Sequence, residues 1–179
     1  MMKTLVMSQQ LRGGVCGPAF LGSAQGGNQV VVKFAHVKPD PIDFLLQEAY
    51  IYQHQLECLQ GSVVPRHYGV FSGDRRVVLV TAYARKSLDS FEGLDVETKK
   101  TILDHIITLH RNGVRHGDVG PDNITMGSDG HPRVIDFSHA SAHICPGVDK
   151  CQEIIATARM LGISDALSSY HEAPRLKTQ

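Results

Sequence analysis

Apolar positions along the chain change period from one stretch to the next, and each change marks an element. A Gly-Gly-Asn turn precedes the β-branched run Val30, Val31, Val32 and then Lys33 and Phe34, which predicts a strand. Ahead of it, residues 11–22 (LRGGVCGPAFLG) are too rich in Gly, Pro and Ala for one continuous strand and suit two short strands joined by a flexible turn. Ile42, Leu45, Leu46, Ala49, Leu56 and Leu59 then recur at helical spacing. With Asp40 to cap, Pro41 at the first helical position and Gly61 to terminate, they predict a helix of about four to five turns. The runs SVVPRHYGVF and RRVVLVTAYA flank the turn SGDR and read as an antiparallel pair. A second helix is predicted over DVETKKTILDHIITLHRNG, capped by Asp95 and stopped at Asn112-Gly113. Ile102, Leu103, Ile106, Ile107 and His110 share one side of it. A loop, the short strands NITM and RVIDF around the turn GSDGH, and a last helix from Asp149 through KCQEIIATARMLG complete the pattern. The tail SSYHEAPRLKTQ carries little periodic signal, and no repeat is visible.

This order, β-rich first and α-rich later, predicts an α+β chain with two lobes, residues 1–83 and 84–179. Composition adds constraints. The 42% hydrophobic and 20% charged content is that of a globular domain, and 18 basic residues balance 18 acidic ones. That balance argues against a general nucleic-acid or membrane-surface binder. No signal peptide and no membrane-spanning stretch is read, so a cytoplasmic location is expected. Cys16, Cys58, Cys145 and Cys151 are irregularly spaced and are expected as reduced thiols.

The chemistry concentrates in VRHGDVGPDNITM and the following RVIDFSHA. Asp118 stands in a tight turn, Asn123 follows in the same loop, and Asp136 ends an apolar strand. Taken singly, Asp118 and Asn123 also read as turn formers, Lys33 as an edge charge and Glu48 as an exposed helix residue. Hard oxygens of this kind suit Mg2+, and phosphoryl transfer needs little more than held phosphates, neutralised charge and an oriented acceptor hydroxyl. In combination the segments resemble the protein-kinase-like superfamily. His116, Asp118 and Asn123 fill a His-x-Asp-x-x-x-x-Asn pattern, and Asp136-Phe137-Ser138 stands in place of Asp-Phe-Gly. Lys33 in VVVKF matches the phosphate-binding lysine and Glu48 its partner. Gly14 and Gly17 match the second and third glycines of a phosphate-covering loop whose first position is Arg12.

The resemblance covers roughly residues 11–163 and implies a minimal two-lobed kinase-like fold with a truncated C-terminal lobe. It implies that Asp118 orients or deprotonates the acceptor, Asn123 and Asp136 hold Mg2+, and Lys33, fixed by Glu48, contacts the phosphates of ATP. His116 is expected to be scaffold. Four departures shape the expected substrate. Gly117 replaces an arginine that receives an activating phosphate, so no activation by loop phosphorylation is expected. Gly120 replaces a phosphate-facing lysine, for which Arg115 or Arg12 are the possible substitutes. Ser138 replaces glycine and should favour one orientation of Asp136. Finally, few residues follow the last helix.

These departures point to a small-molecule hydroxyl acceptor. A compact protein Ser/Thr kinase, a pseudokinase acting as a nucleotide-binding module, and a phosphorylation that merely activates a leaving group remain open alternatives. His139, His143, Cys145 and Cys151 are zinc-capable types, but their spacing matches no familiar finger, and ordinary loop residues are the expectation.

Overall fold

The computed structural model describes residues 5–11, 13–14, 16–36, 39–73 and 76–172. Five antiparallel strands form the main sheet in the order β1 (Leu5–Gln10), β2 (Ala19–Ala24), β3 (Gln29–His36), β5 (Arg76–Ala82), β4 (His67–Gly73). Together with the helices described below it is an α+β fold, as the alternation of periods predicts. β1 is a mostly exposed edge strand, which explains why it leaves no apolar alternation to read. It lies before the glycine-rich stretch, so the expected pair of short strands within 11–22 is replaced by β2 and a tight Gly14–Gly17 pairing.

Strand periodicity decides which way Lys33 points. In β3, Val30 and Val32 are buried on one face with Val80. Lys33 and Ala35 lie on the other, opposite Leu79 and Val77, where Cys16, Leu45 and Ala49 complete a second cluster. Helix α1 (Pro39–Gln53) covers that face, so the Lys33 side chain leaves the sheet toward it.

α1 is shorter than its apolar spacing suggests. It begins at Pro39, so Asp40 lies within its first turn, and it ends at Gln53 instead of continuing to Gly61. The Gln60 side chain explains the early end. Its Nε2 donates to Tyr52 O at 2.8 Å while its Oε1 accepts from His67 N at 2.9 Å, tying the helix end to the start of β4. A chain reversal at Gln53–Leu56 buries Leu56 in the next core cluster, where a continuing helix would carry it away.

Helix α2 (Val96–Arg111) follows its sequence signals closely. Asp95 accepts from Thr98 N at 2.8 Å, and Asn112 and Gly113 (φ 77°) close the other end. Its apolar side packs in the largest core with Leu56, Ile124, Phe137 and Ile154. Around it run two small antiparallel pairs: β6 (Val114–Arg115) with β9 (Ser141–Ala142), and β7 (Ile124–Met126) with β8 (Pro132–Val134). α3 (Gln152–Met160) starts three residues after the expected Asp149, and 3-10 turns follow over Ser164–Glu172. No helix among the described residues is long and apolar enough to cross a membrane.

Candidate functional site

Lys33 meets two carboxylates. Its Nζ lies 2.9 Å from both oxygens of Glu48 and 2.9 Å from Asp136 Oδ1. Glu48 shares the buried stripe of α1 with Leu45, Ala49 and Tyr52, and is itself 1% exposed. Burial alone would push its carboxyl up, and the ammonium of Lys33 opposes that push. For Lys33, burial would lower the pKa, but the two carboxylates outweigh it and hold the ammonium protonated. Asp136 is driven the other way: burial is overcome by Lys33 and by donors at Ser138, and its pKa falls to about 2.

The backbone of Asp136 is left-handed, with φ at 64°, a conformation Asp tolerates better than most residues. Ser138 N lies 3.4 Å from Asp136 Oδ1, close to the carboxylate it was expected to orient. Phe137 beneath is fully buried between the rings of Tyr52 (5.3 Å) and His116 (5.0 Å), which links α1 to the 116–123 loop.

That loop is built on its own hydrogen bonds. Asn123 Nδ2 donates to Asp118 O at 2.7 Å and to Asp118 Oδ2 at 3.0 Å. Both partners are acceptors, so the amide orientation is fixed by chemistry and Asn123 Oδ1 is the oxygen left for another partner. Ile135 N donates to Asn123 O at 2.9 Å, which sets Asn123 beside Asp136 along the backbone. His116 is fully buried and closes the arrangement: Nε2–H donates to Ile135 O at 3.0 Å and Nδ1 accepts from Asp118 N at 3.2 Å. Burial pushes its pKa down, in keeping with that neutral tautomer.

The glycine-rich turn closes over the same place. Gly14 and Gly17 pair through backbone bonds of 3.2 and 3.1 Å. A Cβ on Gly14 would come within 3.2 Å of Asp136 Oδ2, and one on Gly17 (φ 122°) within 2.4 Å of Phe34 O. Lys33, Glu48 and Asp136 are thus joined by ion pairs and Asp118 and Asn123 by hydrogen bonds, and the backbone bond from Ile135 N to Asn123 O links the two groups. Arg12 lies outside the described residues. Arg115 points elsewhere, its exposed guanidinium 3.7 Å from Glu153 Oε1.

Glu153, on α3, has no counterpart in the sequence reading. Its carboxylate accepts from His116 N (2.9 Å), Gly117 N (2.7 Å) and His110 Nε2 (2.6 Å), anchoring the loop's backbone from below. An acidic residue in the first turn of a helix gives no hint of such a role, because the first turn favours acids anyway.

The donor set fits a hard divalent ion. Asn123 Oδ1 and the Asp136 carboxylate are one amide and one acid oxygen source, few enough for Mg2+ to keep waters and take phosphate oxygens.

No family model matches the chain. Among curated proteins it is similar to Serine/threonine-protein kinase D of Synechocystis sp., 35% identical over 83 residues, which is 43% of this chain and 16% of that protein. It is also similar to 3-phosphoinositide-dependent protein kinase 1 of Caenorhabditis elegans, 28% identical over 123 residues (55% of this chain, 19% of that one). Aurora kinase C of Mus musculus is 31% identical over 88 residues (44% and 32%). The chain therefore spans about a third or less of the length of each of these relatives, and the likeness is to protein kinases over about half of the chain.

Proposed function

We propose that the chain binds ATP with Mg2+ and moves the γ-phosphoryl group to a hydroxyl. The observation that carries this reading is the Lys33 ammonium held between Glu48 and Asp136, with Asp136 set by the backbone beside the Asn123–Asp118 pair. The partial similarity to kinases supports the same class of reaction.

Lys33 already has three carboxylate oxygens for its three N–H groups. To reach a phosphate it would give up Asp136 and keep Glu48, which would release Asp136 for the metal. The two exchange each other for partners of opposite charge, so neither is left unpaired. Mg2+ bound by Asn123 Oδ1 and Asp136 would neutralise charge on the phosphates. Asp118, exposed and with Oδ2 engaged by Asn123, would present its other oxygen to the acceptor and take the hydroxyl proton as the acceptor oxygen bonds the γ-phosphorus and the β–γ P–O bond breaks to release ADP.

A small-molecule acceptor is the reading we favour. Gly120 leaves the acceptor side without the cation that protein Ser/Thr kinases place there. A protein Ser/Thr acceptor is the second reading, supported by the names of the similar proteins, all protein kinases.

The test is Mg2+-dependent ATP turnover by the wild-type chain and Asp118→Asn, with nucleotide binding measured in parallel. Turnover should fall by about 10²–10⁴ in the variant while binding persists. Equal turnover in both proteins refutes the role of Asp118. Binding without turnover in either assigns the chain a nucleotide-binding role instead. Parallel panels of small alcohols and Ser/Thr peptides separate the two acceptor classes.

A further inference from the structure

We propose that His110, His143, Cys145 and Cys151 bind one Zn2+ ion in a closed tetrahedral site behind the 116–123 loop. None of the four takes part in phosphoryl transfer as described above, so the inference stands independently of that reading.

The residues come from separate elements: His110 from the last turn of α2, His143 and Cys145 from the segment after β9, and Cys151 from the position before α3. One ligand atom from each lies within 4.8 Å of the other three. Cys151 Sγ is 3.3 Å from His110 Nδ1 and 3.6 Å from His143 Nε2. A tetrahedron built from ordinary Zn–N and Zn–S bonds has edges of about 3.3–3.8 Å. The spacing already observed at Cys151 is therefore that of a liganded set, and the remaining ligand pairs, all within 4.8 Å, need a contraction of at most about 1.5 Å to reach those edges.

The chemistry of each donor agrees. His110 Nε2–H donates to Glu153 Oε2 at 2.6 Å, which turns the Nδ1 lone pair toward Cys151 Sγ. A carboxylate behind a ligating imidazole is the arrangement that fixes the tautomer and orientation a metal needs. His143 is located by its backbone, N–H donating to Gly113 O at 2.8 Å, and its ring meets His110 edge-on at 4.7 Å. Two imidazoles and two thiols make a Cys2His2 donor set, soft enough for Zn2+ and without open positions for chemistry. On binding, both thiols become thiolates, two protons pass to the buffer, and the charge of the ion is cancelled. A cleft lined by Ile107, Arg111, Ile144 and Val148 gives the ion a way in.

Such an ion would act on the loop through Glu153. The carboxylate that holds His110 also accepts from the backbones of His116 and Gly117. Zinc would tie α2, the β9 segment and α3 together at the point where the loop is anchored.

The experiment uses the full chain, purified under reducing conditions and titrated with ZnCl2 and separately with CoCl2. One Zn2+ per chain should be retained through gel filtration. Co2+ should give thiolate-to-cobalt charge transfer in the near ultraviolet together with the intense visible bands of tetrahedral coordination. Cys145→Ser, at a half-buried position, should cut the charge transfer to about half or shift the affinity by about 100-fold or more, whereas Cys58→Ser should change neither. The wild-type spectrum needs no variant to fold. Absence of the charge-transfer band, octahedral cobalt, or a spectrum indifferent to Cys145→Ser would overturn the site and leave only thiol–imidazole hydrogen bonds.

Discussion

Gly117 and Gly120 flank Asp118 on a loop of few residues, and the space around them is quite different. Gly117 has φ at 83°, and a Cβ there would stand 2.3 Å from the backbone oxygen of His139. Gly120 is extended, and its Cβ would meet only the side-chain oxygen of Asp122, at 2.8 Å, which can turn away. Gly117→Ala should therefore cost about 2–4 kcal/mol, since it adds backbone strain to a collision with fixed main chain. Gly120→Ala should stay within about 0.5 kcal/mol. Urea denaturation of both variants checks the contrast, and equal losses would remove it. The sequence shows a glycine at 117, where the resemblance to kinase-like proteins implies an arginine. It does not show why, because the obstacle is a carbonyl of a segment far along the chain, brought close by the pairing of β6 with β9.

At the scale of elements, the Lys33–Glu48 pair was expected from the resemblance alone, and in the structure two intersecting periodicities account for it. Alternation in β3 sends Lys33 to the face of Ala35, and the buried stripe of α1 carries Glu48 between Leu45 and Tyr52. An acid on an apolar stripe needs a partner, and Lys33 supplies it. Lys33→Met leaves Glu48 and Asp136 facing each other without a counter-charge, and should destabilise the chain by about 2–4 kcal/mol. Adding Glu48→Gln should recover about 1 kcal/mol or more of that loss, so the cycle is non-additive. Additive losses would mean the pair is not coupled. The early end of α1 was hidden because Gln60 caps it from outside the helix. His110 was visible as a histidine on the apolar side of α2. Its meeting with Cys145 and Cys151 was not, because that depends on how α2 and α3 pack.

For the whole molecule, histidines held neutral, His116 buried and His105 and His67 half-buried, set how stability responds to acid. His105 on α2 has no hydrogen-bond partner for Nδ1 among the described residues. Burial, helped by Arg133 and His131 and opposed by Asp104, lowers its pKa from 6.5 to about 4. His116 and His67 are lowered as well, in each case chiefly by burial. In all three the folded pKa lies below the unfolded one, so the unfolded chain takes up the proton first as pH falls. The stability they protect is complete above about pH 6.5 and drains away toward the folded pKa, which for His105 is about 4. A shift of that size corresponds to at most about 3 kcal/mol for His105, less whatever solvent screening recovers. Denaturation midpoints of the wild type should drop between pH 7 and pH 4.5, and His105→Leu, with nothing to protonate there, should show a visibly shallower drop. Parallel pH profiles for the two proteins would mean that His105 takes up its proton equally well folded and unfolded, and that its surroundings on α2 and beside Arg133 are wetter than the packing indicates.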